Sequence, residues 1–241
     1  MTINIKKPIK INNFSEIDEK YDSIICDIWG VIHNGHELFS SSVECLLRYK
    51  KLGYPIILVT NAPRPSSEIK VILEKMGLNE KCYDKIITSG DLTQKILNKG
   101  DLGSSCYHIG PDRDLKVFEG VNVKRVDFEN ADFIFVTGLY DDENENEESY
   151  LPLLELAKKR NLKLLCANPD IWVQRGNELV PCAGAISKKY KSIGGDTINI
   201  GKPFSPIFDE ALKQIEFISE NNKNSTIVIG CLLYTSDAAD E

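Results

Sequence analysis

Short, wholly apolar runs alternate with longer amphipathic stretches along this chain. Ser23-Ile-Ile-Cys-Asp27 is apolar until it ends in an acid, the pattern of a strand buried on both faces. From Ser42 to Leu52, Val43, Leu46 and Leu47 mark a helix that Gly53 stops. Pro55 to Thr60 predicts a second buried strand. Ile69, Ile72, Leu73 and Met76 fall at i, i+3, i+4 and i+7 before Gly77 and predict a second helix. Lys85 to Thr88 predicts a third strand. This β-α-β-α-β order predicts an α/β fold with a parallel sheet.

Beyond Gly90 the alternation continues less regularly. Leu92, Ile96 and Leu97 predict a helix, Cys106–Ile109 and Phe133–Val136 strands, Leu153, Leu154 and Ala157 a helix, and Leu162–Ala167 a strand. Asp141 to Glu148 holds six acids in eight residues, which suits a solvated loop running into a helix N-terminus. The strong pattern then returns. Thr197 to Pro203 predicts a strand and turn, Ile207, Ala211, Leu212, Ile215 and Ile218 a helix face, and Thr226 to Gly230 a final strand. With no repeat or low-complexity linker, the middle of the chain reads as an insertion between two halves of one sheet.

Composition narrows the function classes. The 241 residues are 42% hydrophobic and 27% charged, which is globular composition, and the net charge of −7 argues against nucleic-acid binding and against an anionic membrane surface. No apolar run approaches the roughly 18 residues of a membrane span. Met1 to Lys10 alternates Ile with Lys and Asn and has no signal-peptide core, so a cytoplasmic location is expected. The seven cysteines are scattered and form no Cys-x-x-Cys, the pattern of reduced thiols rather than of a disulfide frame or zinc site.

Four features fall at strand ends, where open α/β sheets place ligand sites. Asp27 ends the first strand, and a carboxylate there can attack phosphorus or bind magnesium. Thr60 and Asn61 end the second, and a hydroxyl there can hold a phosphoryl oxygen. Lys202 stands in Gly-Lys-Pro and can neutralise phosphoryl charge. Gly230 ends the last strand. Each alone also suits an ordinary cap or a solvated lysine.

Their order is more specific. Asp27-Ile-Trp-Gly-Val, then Val59-Thr-Asn61, then Gly201-Lys-Pro203 after a long insert resembles the haloacid dehalogenase superfamily, subclass IIA, the NagD-like branch. The match extends to Ala167-Asn-Pro-Asp170, Gly176 and Pro181-Cys-Ala-Gly-Ala-Ile186. The resemblance implies a Rossmann-like parallel-sheet core at 1–90 and 197–230, with an inserted α/β cap at 91–196. It implies a magnesium-dependent phosphatase of a small phosphate ester. Asp27 would be the nucleophile, and Thr60 and Lys202 would hold the phosphoryl group. Mg2+ would sit on the Asp27 carboxylate and the Trp29 backbone carbonyl. Asn61, Asp170 and Arg175 would contact substrate, and a homodimer would form through the cap.

Two positions depart from the family pattern. The family's phosphatases carry a second Asp, the proton donor to the leaving group, two residues after the nucleophile. Trp29 stands there, and its indole is no practical proton donor. His33 and His36 follow closely as substitute acids or as plain loop residues. Haloacid dehalogenases also carry an aromatic at this position, but their cap sits elsewhere, which argues against carbon–halogen hydrolysis. The resemblance also implies an Asp after Gly230, followed by a further segment. Cys231 stands there instead, and residues 231–241 resemble a translated sequencing adapter. Trp29 also motivates a contrasting expectation, a phosphate-binding or regulatory protein that has lost the acid–base chemistry.

Overall fold

The structure, a computed structural model, describes residues 10–11, 14–16, 20–175, 178–219 and 225–231. Gly176 and residues 232–241, on which part of the sequence reading fell, lie outside the described residues.

The first unit runs β1 (Ser23–Asp27), α1 (Ser40–Lys51), β2 (Ile56–Thr60), α2 (Ser66–Lys75) and β3 (Lys85–Thr88). α3 (Ser89–Lys99) leads into the second unit. That unit comprises β4 (Ser105–Ile109), β5 (Lys124–Arg125), β6 (Phe133–Val136), α4 (Leu151–Lys159), β7 (Lys163–Cys166), β8 (Trp172–Arg175), β9 (Glu178–Pro181), α5 (Ala183–Ser192) and β10 (Thr197–Asn199). α6 (Ser205–Ile218) and β11 (Thr226–Ile229) return to the first sheet.

Two parallel sheets result, ordered β11-β1-β2-β3 and β10-β7-β6-β4-β5, with β8 and β9 forming a separate antiparallel hairpin. The inner strands β1, β2 and β6 are nearly continuous apolar runs because both of their faces are covered, whereas the edge strands β5, β10 and β11 are partly exposed. In the first sheet Ile24, Cys26, Ile56 and Leu58 face Leu46 and Tyr49 of α1 and Ile69 and Leu73 of α2. Their alternates Ile25, Ile57, Val59 and Ile87 face a cluster shared with α3 and α6. That cluster continues into Phe133, Phe135 and Leu165 of the second sheet. The other face of the second sheet, with Ile134, Val136 and Leu164, packs on α4 and α5. The expected parallel-sheet core with an α/β cap is therefore the observed architecture.

The boundaries shift from the sequence reading. β10 pairs with β7, so residues 197–199 belong to the cap sheet and not to the second core segment. Asp91, the expected start of the cap, falls within a helix. It lies in the first turn of α3, where a capping box with Thr88 fixes the helix directly after β3. The two crossings between the units touch, since the Ser89 hydroxyl donates to the Ile200 carbonyl.

Candidate active site

Parallel pairing sets Asp27 opposite Val59 and Thr60 opposite Thr88, so the acid and the hydroxyl finish at the same edge of the first sheet. Both are buried. One Asp27 carboxylate oxygen, Oδ1, accepts the Ile28 backbone N–H at 2.8 Å and the Lys202 ammonium. Lys202 arrives 175 residues later, from the turn after β10.

Asn61 holds that turn in place. Its Oδ1 accepts the Lys202 N–H at 2.6 Å, and its Nδ2 donates to the Lys202 carbonyl at 3.0 Å and to Asp170 Oδ1 at 2.8 Å. Gly201 makes this approach possible. Its φ is +130°, and a β-carbon there would come within 2.5 Å of Asn61 Oδ1. The Asn61 amide thus bonds three protein partners and ties the Lys202 turn and Asp170 together. Burial pushes the Asp170 carboxyl above the ordinary carboxylate range and Asp27 adds to the effect, while Lys202 and the Asn61 hydrogen bond oppose it.

Trp29 is held on three sides. Its ring meets His33 edge-on at 5.2 Å between centroids, lies against Gly35, and donates its N–H to the Gln174 carbonyl in β8 at 3.1 Å. The two histidines are not placed to act as acids. His33 Nδ1 accepts the Gly35 N–H at 2.9 Å, and burial lowers its basicity with Asp27 only partly offsetting this, so the ring is neutral. His36 is exposed on the following turn. Neither lines the cleft described next.

A cleft of about 170 Å³ opens beside Thr60 and Asn61, bounded by Trp29, Asp170, Arg175 and cap residues. Asp27 and Lys202 are not part of its wall, so the phosphoryl end and the cleft are neighbouring compartments. Arg175 lines the cleft, and its guanidinium is paired with Asp142 at 2.8 Å. Arg113 reaches the same carboxylate at 2.7 Å. The acidic run is therefore not uniformly solvated, because Asp142 is 12% exposed between two arginines. Sequence reasoning missed Arg64, Arg113, Asp114 and Asp142, which come from three separate segments, Arg113 and Asp114 being neighbours, and carry no shared motif.

The donor set for a hard cation is short. Among the described residues no hydrogen bond reaches Asp27 Oδ2, which leaves that oxygen and the Trp29 carbonyl. Magnesium is commonly bound by one or two carboxylates together with waters and substrate phosphate, and this set fits that mode. Cys231 adjoins it, since a β-carbon on Gly30, whose φ is +77°, would meet the Cys231 sulfur at 2.3 Å. Burial raises the Cys231 thiol, with Asp27 adding and Lys202 opposing, so it stays protonated and soft.

A parallel α/β core with a strand-end Asp–Lys pair, a neighbouring hydroxyl and an α/β cap inserted between them defines a capped hydrolase of subclass IIA type. The chain belongs to the haloacid dehalogenase-like hydrolase family. That family matches residues 24–124. The structure of a haloacid dehalogenase-like hydrolase from Brucella suis 1330 is 38% identical, with a TM-score of 0.87 over 94% of this chain and 85% of that one. An acid sugar phosphatase of Staphylococcus haemolyticus (strain JCSC1435) is 25% identical over 221 residues, 90% of this chain and 80% of the relative. The 5'-nucleotidase YutF of Bacillus subtilis (strain 168) is 24% identical over 213 residues, 87% and 79% respectively. Among the described residues no helix is long and apolar enough to cross a membrane.

Proposed function

We propose that the chain is a phosphatase of a small phosphate ester, working through an aspartyl-phosphate on Asp27. The ion pair between Asp27 and Lys202, at the strand edge that also carries Thr60, is the observation that carries this reading. An Asp27 oxygen attacks phosphorus while the bond from phosphorus to the leaving oxygen breaks, and the electron pair departs with that oxygen. Lys202 moves from the carboxylate toward the phosphoryl oxygens, where charge builds. The Thr60 hydroxyl donates to one of them. Water then attacks the phosphorus of the aspartyl-phosphate, frees Asp27 and releases inorganic phosphate. Asp27 and the Trp29 carbonyl would hold Mg2+, which supplies further charge neutralisation. Asn61 keeps Lys202 in register, and the cap, with β8 and β9, excludes water from the cleft.

Trp29 offers no proton to the leaving oxygen, so the reading favours esters whose oxygen leaves as a stable anion. Relatives that act as a sugar phosphatase and a nucleotidase support a small-molecule ester. A second reading rests on Trp29 and Cys231 together: a protein that binds phosphate at Asp27 and Lys202 without turning esters over. A screen of aryl and acyl phosphates, with Asp27→Asn as control, separates the two. Turnover that vanishes in Asp27→Asn supports the phosphatase. Phosphate binding without turnover supports the binding protein, and neither result would end both.

A further inference from the structure

The wall of the cleft away from Asp27 carries three guanidiniums and two carboxylates. Asp142 Oδ2 is shared by Arg113 Nη2 at 2.7 Å and Arg175 Nη2 at 2.8 Å, so one acid serves two bases. Arg64 faces Asp114 at 3.6 Å from its Nε, beyond hydrogen-bond length, and that Nε is buried with no hydrogen-bond partner among the described residues. Among the cleft-lining groups of this wall positive charge therefore exceeds negative by one, with Glu143 acting on Arg175 from outside the lining, and one buried donor is unmet. A purely structural cluster would be expected to balance both, because an unmet buried donor is costly. Asp170 also bounds the cleft, but it is hydrogen-bonded to Asn61 on the Lys202 side, and burial holds its carboxyl toward the neutral form.

We propose that the cleft selects phosphate esters whose leaving group carries a carboxylate, received by Arg64, Arg113 and Arg175. This rests on the phosphatase reading above. A planar carboxylate matches the forked geometry of a guanidinium. A neutral polyol would find Asp142 already occupied by two arginines and would give Arg64 Nε no charge-matched acceptor. A cation would meet the excess positive charge.

The test uses the full chain carrying Asp27→Asn, so that no ester is consumed, in buffer with Mg2+. Calorimetric titration compares 3-carboxyphenyl phosphate with 3-carbamoylphenyl phosphate, which has the same shape without the charge, and inorganic phosphate is titrated into the unsubstituted chain. The expected result is at least tenfold tighter binding of the carboxylate, with the preference falling toward parity in Arg113→Gln and in Arg175→Gln. Asp142→Asn, which releases both guanidiniums from their shared acid, is expected to widen the preference; it provides a gain that misfolding cannot mimic. Equal affinities, tighter binding of the carboxamide, or binding of inorganic phosphate but of neither ester would each overturn the proposal while leaving the phosphatase reading in place. Failure of inorganic phosphate to bind as well would remove both.

Discussion

The Trp29 indole N–H donates to the main-chain carbonyl of Gln174, joining the loop after β1 to the β8–β9 hairpin across 145 residues of sequence. Trp29 therefore fastens the cap to the core. Trp29→Phe keeps an aromatic ring against Gly35 and His33 but deletes the donor. We expect amide exchange across Trp172–Pro181 to quicken and global stability to fall by about 0.5–1.5 kcal/mol, the net worth of one hydrogen bond. Unchanged exchange in the hairpin would show that the bond does not hold it.

Trp29→Asp asks a different question. A phosphoryl-transfer transition state is loose, so the departing oxygen gains charge that an alkoxide tolerates poorly and a phenolate tolerates well. Restoring an acid at this position should raise turnover of alkyl phosphates more than that of aryl phosphates, by up to about 10²–10⁴-fold for general acid catalysis. The same change cuts the link to Gln174, so melting temperature is measured alongside. Equal rates on alkyl and aryl esters before substitution would point to an acid elsewhere in the site already at work.

Asn61 is expected to matter more than its lack of charge suggests. Asn61→Ala removes three hydrogen bonds at a buried position and leaves Asp170 and the Lys202 main chain without their partner. A stability loss of about 2–3 kcal/mol should follow, at roughly 1 kcal/mol per bond. At temperatures where the variant is folded, kcat should drop because Lys202 no longer sits on Asp27, whereas a purely structural role would lower stability and leave kcat near its original value.

The sheets were legible in the sequence because strands buried on both faces are continuously apolar, and Asp27, Thr60 and Lys202 were legible because each closes such a strand or its turn. Strand membership was not. Thr197–Asn199 reads as a strand, yet nothing local says that it pairs with β7 rather than with the core. α5 was also hidden. It opens Ala183-Gly-Ala, where Gly184 packs closely on the Pro169 carbonyl, and Ile186 and Tyr190 are its only large buried side chains, too few to mark a helical face by periodicity. The β8–β9 hairpin is short and partly exposed, so it carries little apolar alternation. Arg64, Arg113, Asp142 and Arg175 meet only in three dimensions, and a charge run containing Asp142 reads as solvated until its arginine partners are placed.

Asp114 gives a pH-dependent stability with a definite sign. Burial raises its carboxyl from 3.8 to about 6, against the opposing pull of Arg64, Arg113 and a Thr137 hydrogen bond, with Asp142 adding to the rise. The folded state therefore holds this proton more tightly than the unfolded chain. Its contribution is greatest below about pH 4 and is lost as pH rises to about 6, by up to about 3 kcal/mol at 1.36 kcal/mol per pH unit. Asp114→Asn should flatten that part of the curve and narrow the difference in stability between pH 4 and pH 7. Denaturant melts across this range decide the matter, and an unchanged slope in the variant would exclude Asp114 as its source.

Cys231 provides a test of the metal site that does not depend on catalysis alone. Its sulfur lies beside Gly30, within the influence of both Asp27 and Lys202. A protonated thiol there offers magnesium little, whereas a carboxylate would be a hard oxygen donor. Cys231→Asp should therefore tighten Mg2+ binding by at least tenfold, on the order of 1.4 kcal/mol. Without metal the new carboxylate sits near Asp27, and like charges repel, so the variant should melt at a lower temperature than the parent in a chelator. With millimolar Mg2+ the order should reverse, because a ligand that binds only the folded state stabilises it in proportion to its affinity. Aryl phosphate turnover should rise under the same conditions. Melting curves that keep one order with and without magnesium would mean that position 231 does not face the cation, and the metal site would have to be sought away from the end of β11.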